Sequence, residues 1–174
     1  MSKPYKQQNS EVLYSNEDIP MVDKQEIGYF KELSLENDRK RIRLCTHSTP
    51  EAVLHEMLIV HGKDAYVRPH KHLAKSESVH IIEGQVDVVL FTDDGRIQQV
   101  IKMGDYSSNS VFFYRLEQPI FHTLIIRSEV LVFHETTNGP LDKDTTIFAP
   151  WAPTGTAPDL VDIFISDLKK RINS

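Results

Sequence analysis

The residues best suited to chemistry lie at positions 66–77, in the sequence Tyr-Val-Arg-Pro-His-Lys-His-Leu-Ala-Lys-Ser-Glu. Alternate residues of a β-strand point to the same face, so His70 and His72 should project together, about 7 Å apart along the strand. Glu77 follows after a short turn and adds a carboxylate oxygen. Two imidazoles and a carboxylate suit one divalent ion of Fe, Mn, Ni, Co or Zn. We therefore predict a metal site here; the alternative is three exposed turn residues.

A fourth ligand is predicted from a distant part of the chain. His122 lies in the apolar segment Ile-Phe-His-Thr-Leu-Ile-Ile, residues 120–126. A lone histidine in such a strand is usually a core residue whose hydrogen bonds are satisfied. A strand that returns across a barrel would instead bring His122 to the other three ligands, and this is the arrangement we expect.

Four side chains are candidates for contact with a substrate. Arg68 and Tyr66 share strand parity with the two neighbouring histidines, so both should face the same cavity. Arg68 would then hold a carboxylate or a phosphate through two parallel N–H bonds. The alternatives are an ion pair at the barrel rim for Arg68 and core packing for Tyr66. Tyr114 and Arg115 are further candidates for the same role.

Other polar residues have weaker patterns. The basic run at residues 39–43, Arg-Lys-Arg-Ile-Arg, could contact an anionic substrate such as a sugar nucleotide, but we expect a solvated strand or a subunit contact. His80 has the opposite strand parity to Glu77 and should point away from the metal. His134 and Glu135 end a strand, and we expect structural roles for them rather than a place at the pocket. Structural roles are also predicted for the remaining histidines, His47, His55 and His61.

From Arg41 to Thr136 apolar residues alternate with a period of two, which is typical of β-strands. Asp93-Asp94-Gly95 between two such runs indicates a hairpin. Because no long helix separates the runs, the pattern favours an antiparallel sandwich or barrel. The predicted strands are Arg41–Thr46, Val53–Val60, Ala65–Pro69, Ser78–Ile82, Val86–Phe91, Ile97–Lys102, Val111–Leu116, Ile120–Arg127 and Val130–Glu135.

The chain divides into three predicted parts. Residues 1–40 form an N-terminal arm, loose over its first 20 residues, with a short helix over 23–33 that Asp23 caps. Residues 41–136 form the β-barrel domain. Residues 137–174 form a loop and a closing helix over 159–172, packed on the domain, with Pro158 in its first turn. Trp151, in Phe-Ala-Pro-Trp-Ala-Pro, should dock on the domain and hold the loop in place.

Composition restricts the classes of function. The 174 residues have a net charge of −5, which argues against nucleic-acid binding because phosphates require a basic face, and it gives no support for a membrane partner. The polar sequence at residues 1–8 lacks the apolar segment of a signal peptide. Cys45, the single cysteine, excludes an internal disulfide and fits a reducing compartment. We therefore predict a cytoplasmic protein.

The spacing His-x-His, four residues, Glu, six residues, Gly resembles the first cupin motif, and His70, His72, Glu77 and Gly84 meet it. Gly104-Asp105 and His122 resemble the second cupin motif. The wider pattern over roughly residues 41–153 is similar to the WbuC family of cupin-fold metalloproteins. The segments that support this similarity include residues 66–72, Asn138-Gly139-Pro140 and residues 148–153.

This resemblance implies an all-β fold, a cupin-type antiparallel β-barrel or jelly roll with a short N-terminal helix and a C-terminal helix. It also implies a bound metal. WbuC-family members are often associated with bacterial polysaccharide and O-antigen genes, but their reaction is not established. Cupins commonly pair through outer strands and exchanged arms, so a homodimer is expected.

Three histidines and one glutamate leave two positions of an octahedral ion open. Such an ion can polarise a carbonyl or hydroxyl group or activate water, and Fe(II) would permit oxygen chemistry. The expected function is therefore a metal-dependent isomerase, hydrolase or dioxygenase of cupin type that acts on a small polar metabolite. The resemblance alone suggests a sugar or sugar nucleotide. The alternatives are a non-catalytic metal-containing module that binds or senses a small molecule, and a metal-free barrel that serves assembly.

Overall fold

The computed structural model describes residues 5–173, which contain twelve β-strands and two α-helices. Met1–Pro4 and Ser174 lie outside the described residues, and with them the start of the predicted N-terminal arm and the end of the predicted closing segment. In chain order the elements are β1 (Tyr5–Asn9), β2 (Val12–Ser15), α1 (Lys24–Glu36), β3 (Arg41–Cys45), β4 (Leu54–Gly62), β5 (His70–His72), β6 (Glu77–Glu83), β7 (Gln85–Phe91), β8 (Ile97–Gly104), β9 (Phe113–Leu116), β10 (Phe121–Ile126), β11 (Val130–Asn138), β12 (Thr146–Phe148) and α2 (Pro158–Ile172).

The strands form two sheets packed face to face. The larger sheet has the order β1-β2-β3-β4-β11-β6-β9, and the smaller has the order β12-β5-β10-β7-β8. Neighbouring strands run antiparallel except β2 and β3, which are parallel. This arrangement confirms the predicted all-β jelly roll with a helix towards each end of the chain.

Strand alternation separates an inner core from two outer ones. In β7, Val86, Val88 and Leu90 belong to the core between the sheets, whereas Val89 and Phe91 belong to a cluster on the opposite face. That second cluster also contains residues of α2, which covers the outer face of the smaller sheet. The strand is therefore apolar at nearly every position, because both of its faces are buried.

The helix α1 begins as the sequence predicts and ends later. The Asp23 carboxylate accepts hydrogen bonds from the backbone N–H groups of Gln25 and Glu26, and the Glu26 carboxylate accepts one from the Asp23 N–H. This capping box satisfies N–H groups that have no partner inside the helix. The helix continues to Glu36, three residues beyond the predicted end at 33. Its buried Phe30 packs on the outer face of the larger sheet.

Both flanking segments contribute strands to the sandwich. The arm predicted to be loose instead forms β1 and β2, which extend the larger sheet beside β3. In the C-terminal segment β12 pairs with β5, and Trp151 docks as predicted, donating its indole N–H to the Asp93 carbonyl at 3.1 Å. Over residues 5–173, neither helix is long and apolar enough to cross a membrane.

One strand prediction is displaced along the chain. The sequence favours a strand over Ala65–Pro69, but the structure has β5 at His70–His72. Pro69 has no N–H to donate to a sheet, and Ala65 donates its own N–H to Gly62 in a turn. The strand therefore starts after the proline, and from there β5 pairs with β10 on one side and β12 on the other.

Candidate metal centre

The structure brings His122 to the two histidines of β5. β5 and β10 are antiparallel neighbours in the smaller sheet, and their register places His122 directly opposite His70. One ring nitrogen from each of His70, His72 and His122 lies within 4.8 Å of the other two. Three imidazoles at this spacing can share one divalent ion.

Backbone carbonyl groups orient two of these imidazoles. The Nδ1 of His70 lies 2.9 Å from the Arg68 carbonyl oxygen, and the Nδ1 of His122 lies 3.0 Å from the Ile120 carbonyl oxygen. Each carbonyl is two residues before its histidine. An acceptor at Nδ1 places a proton there, so Nε2 is the nitrogen that would bind a metal.

The third imidazole is oriented by a residue from the C-terminal segment. The Nδ1 of His72 lies 3.0 Å from the Thr146 hydroxyl oxygen, because β12 pairs with β5 in a register that sets Thr146 opposite His72. No pattern in the sequence points to Thr146, because the segment around it reads as a loop. The contact of Thr146 with the candidate ligand His72 depends on the pairing of β12 with β5, which only the structure shows.

Glu77 adds a buried carboxylate to the histidine group. It opens β6 with 6% of its surface exposed. Its Oε1 lies 3.1 Å from the His122 Nε2, and its Oε2 lies 3.6 Å from the His72 Nε2. The Tyr114 hydroxyl donates a hydrogen bond to the same Oε1 at 3.1 Å. The four predicted ligands therefore meet at one place, and Tyr114 contacts one of them.

The charges in this cluster are interdependent. Burial alone would raise the pKa of Glu77, but the charge and hydrogen bond of His122, together with His70 and His72, lower it to about 2. Burial also opposes the charged form of His122, yet Glu77 outweighs it and raises the pKa of that imidazole. Burial and the neighbouring His122 lower the pKa of His70 to about 4. His70 is thus neutral at pH 7, the form that binds a metal.

The cluster lines a cavity of about 360 Å³ between the two sheets. Two of the predicted substrate contacts, Arg68 and Tyr114, line this cavity. The Arg68 guanidinium lies over the Phe148 ring, 5.2 Å from its centroid, and donates to the Ala149 carbonyl oxygen at 3.1 Å.

The other two predicted contacts lie outside this cavity. Tyr66 precedes β5 and so does not follow strand parity; its hydroxyl donates to the Pro153 carbonyl oxygen at 2.9 Å. Arg115 follows Tyr114 in β9, and adjacent strand residues point to opposite faces. Its side chain is half-exposed and pairs with Glu117 at 2.6 Å. Neither side chain lines this cavity, and their role in substrate binding stays a prediction.

Glu135, for which a structural role was expected, is a second acidic residue of the cavity. It lies on β11, opposite Val79 of β6, and points inward like Phe133 two residues earlier. Burial and the Glu77 charge raise the pKa of Glu135 to about 7, although Arg43 acts in the opposite direction. Counting strand parity back from the apolar part of β11 would have identified it.

Comparisons with known proteins bear on the fold. A family model described as a domain of unknown function (DUF6016) matches residues 22–103, a span that includes three of the four candidate ligands but not His122. A search of the curated proteins finds no match. Among solved structures the chain is similar to protein SO0799 from Shewanella oneidensis, with 8% identity, a TM-score of 0.50, and coverage of 72% of this chain and 78% of that one.

The chain is also similar to oxalate decarboxylase from Bacillus subtilis, with 15% identity, a TM-score of 0.48 and coverage of 62% of this chain. It spans 27% of the oxalate decarboxylase chain. The two packed sheets, with His70, His72 and His122 on neighbouring strands of the smaller one, decide the architecture. The chain has a cupin-type fold. On this fold the three histidines could hold a metal ion, and their donor set fits a divalent transition metal.

The Thr146 contact predicts an effect on metal affinity without loss of the fold. Thr146→Val keeps the shape of the side chain but removes the oxygen that orients His72. We expect metal affinity to fall roughly 10- to 100-fold, as is typical when a hydrogen bond to a ligating imidazole is lost. Calorimetric titration of Co²⁺ or Zn²⁺ into the chelator-treated protein measures this. Thr145→Val, which loses only a bond to the Asp142 carbonyl oxygen, is the control. Equal affinities for all three proteins would contradict the assignment.

Neutralising Glu135 should stabilise the protein in a pH-dependent way. Because folding raises its pKa from 4.5 to about 7, the folded metal-free protein retains a proton between these values that the unfolded chain releases. The free energy of unfolding therefore falls as the pH rises through this window. Above pH 7 Glu135 is ionised in the folded protein, and the full loss of stability is reached. Glu135→Gln should raise the unfolding free energy at pH 8 by on the order of 1 to 3 kcal/mol, and by much less at pH 4.5.

Urea unfolding of the metal-free protein at both pH values tests this. The matched control is Glu32→Gln, which neutralises an exposed carboxylate on α1. A gain for Glu135→Gln that is equal at pH 4.5 and pH 8 would show that the carboxyl group is not responsible.

Proposed function

We propose that this cupin is a metal-dependent enzyme that acts on a small polar metabolite, with one divalent ion held by His70, His72, Glu77 and His122. The observation that supports this is the meeting of all four donors on the wall of an accessible cavity. A purely structural metal site would be closed by protein on all sides. Here the cavity of about 360 Å³ leaves room beside the donors for a small molecule.

Each residue of the cavity has a role that its contacts support. The carbonyl groups before His70 and His122 hold a proton on each Nδ1, so Nε2 is the nitrogen that would bind the ion. The Thr146 hydroxyl orients the ring of His72. The Tyr114 hydroxyl donates to Glu77 and fixes the orientation of that carboxylate. The bound ion would supply Lewis-acid polarisation of a carbonyl or hydroxyl group, or activation of water.

Glu135 is suited to proton transfer in such a reaction. A carboxyl group with a pKa near the working pH is present in both protonation states, which is the condition for a general acid or base. The burial that raises its pKa to about 7 is therefore useful to the proposed enzyme. We assign Glu135 as the group that accepts or donates a proton through its carboxylate oxygens.

We also propose membership of the WbuC family and a substrate from bacterial polysaccharide metabolism. The first support is the sequence similarity over residues 41–153. The second is that the segment 148–153, which is part of this similarity, packs beside the site: Phe148 pairs opposite His70, and Trp151 docks on the 93–95 hairpin. The cytosol is the proposed compartment, because Cys45 is a buried free thiol.

Metal dependence and turnover are tested together. Elemental analysis of the purified protein identifies the bound metal, and NMR follows a panel of sugars, sugar phosphates and sugar nucleotides with the chelated protein and after addition of Fe, Mn, Ni, Co or Zn. We expect conversion of one compound only with metal. His72→Ala should remain folded but lose metal affinity and turnover, each on the order of 100-fold or more. The control is His80→Ala, an exposed histidine on β6.

The outcomes separate the candidate functions. Equal turnover by the chelated protein would rule out a metal-dependent enzyme. Saturable binding of a compound that is never converted would instead identify a metal-containing binding or sensing module. A protein that contains no metal and binds none when it is added would point to a barrel that serves assembly.

We propose in addition that the chain forms a homodimer through the outer edge of the larger sheet. Among the described residues no strand pairs with β9 on its outer side, and aromatic side chains are exposed there: Phe113 by 50% and Tyr106 by 81%. An edge of unpaired backbone groups beside apolar side chains favours pairing with a second copy. Sedimentation should show a dimer at micromolar concentration, and Phe113→Asp should give a monomer. Leu160→Asp, at an exposed position of α2, should leave the dimer intact. A wild-type monomer would refute this proposal.

A further inference from the structure

One wall of the cavity is basic although the protein is acidic. The strand β3 directs Arg41 and Arg43 to the cavity side, where a jelly roll normally has apolar residues, while Ile42 and Leu44 pack beneath α1. The register places Arg41 opposite His61 of β4. The wall formed by Arg41, Arg43 and His61, which we call the β3–β4 wall, therefore lies on the larger sheet.

The charge of this wall is only partly neutralised. Glu11 pairs with Arg41 at 2.7 Å and with Arg39 at 3.3 Å, so one carboxylate serves two guanidinium groups. Arg43 has no ion-pair partner within 4.0 Å among residues 5–173. Arg43 is exposed, so its unpaired charge is accessible, and positive charge that lines a cleft attracts anions even when the whole molecule has a net charge of −5.

Two buried polar atoms without partners border the same cavity. Over the described part of the chain, the buried side-chain nitrogens that lack a hydrogen bond are the Nδ1 of His61 and the Nε of Arg68. Both residues line this cavity, His61 from the larger sheet and Arg68 from the loop before β5. A buried nitrogen without a partner costs about 1–3 kcal/mol. Both unpaired nitrogens favour a ligand that carries oxygen acceptors.

The side chains are held ready for such a ligand. His61 is 7% exposed and packs edge-on against Phe133, and burial followed by the charges of Arg41, Arg43 and Arg39 lowers its pKa to about 3. Its ring is therefore neutral at pH 7 and can donate from one nitrogen. Arg68 is fixed by Phe148 and by the Ala149 carbonyl group, which leaves its Nε available.

We infer that the β3–β4 wall is an anion subsite. The metabolite converted at the metal centre then has a second group, a carboxylate or a phosphate, which Arg43, Arg41 and His61 bind. Arg68 contacts the same group from the loop before β5. This inference rests on the proposed function for the substrate's other end. The anion subsite itself requires only residues of this chain, so it should bind an anion without metal.

Calorimetric titration of inorganic phosphate and of succinate into the chelator-treated full chain tests the subsite. The buffer is kept at constant ionic strength with chloride. We expect saturable binding of one equivalent, weakened at least tenfold by Arg43→Gln, because a charge-assisted hydrogen bond is lost. The control is Arg96→Gln, which removes the same charge from an exposed hairpin pair with Asp94 and should change affinity less than twofold. The preferred anion distinguishes phosphate from carboxylate substrates.

A second measurement does not depend on any variant folding. The imidazole ¹⁵N resonances of His61 in the wild-type protein should shift with saturating phosphate or succinate, while those of exposed His80 should not. Failure of both anions to bind saturably, or an equal loss of affinity in Arg43→Gln and Arg96→Gln, would overturn the inference. So would unchanged His61 resonances.

The two proposals fail separately. Arg43-dependent anion binding by the chelated protein, together with unchanged metal affinity in His72→Ala, would reject the metal centre and keep the anion subsite. Normal metal binding without anion binding would reject the subsite alone.

Discussion

The pairing of one buried carboxylate with three imidazoles is the interaction on which this site depends. A carboxylate with 6% of its surface exposed would ordinarily take up a proton, because removing a charge from water is costly. Glu77 remains ionised because His122 lies 3.1 Å away and two further imidazoles are close. The sandwich can keep these polar groups in its interior only while all four are held together.

The strand register is what holds them. His70 and His122 face each other across β5 and β10, and Glu77 arrives from β6 of the opposite sheet. A shift of either register by one residue would turn an imidazole to the outer face, since side chains alternate along a strand. The outer faces are themselves buried under helices, so such a shift would also displace apolar side chains. The cluster of three histidines with Glu77 and the apolar cores therefore favour the same register of these strands.

The ends of the chain are part of this arrangement. β12 sets Thr146 against His72, and Trp151 holds the segment by contacting the 93–95 hairpin. Gly95 of that hairpin has a positive φ, and a Cβ there would lie 3.0 Å from the Trp151 ring. At the other end, Glu11 joins Arg39 and Arg41, which connects β2 to the basic wall of the cavity. Segments that flank the predicted barrel thus shape the cavity at both sheets.

The sequence alone determined the class of the fold and indicated the candidate metal ligands. Period-two alternation located eight of the nine predicted strands approximately, and the spacing of His70, His72 and Glu77 indicated a candidate ligand set, because these signals are local along the chain. Only the tertiary structure decided which distant residues join them. Pairings between remote strands place Thr146, Glu135 and the β3–β4 wall on the lining of the cavity. Tyr66 and Arg115 do not line it. Alternation along a strand gives the direction of a side chain only when the ends and neighbours of that strand are known. Tertiary packing decides where a strand ends and which strands it pairs with.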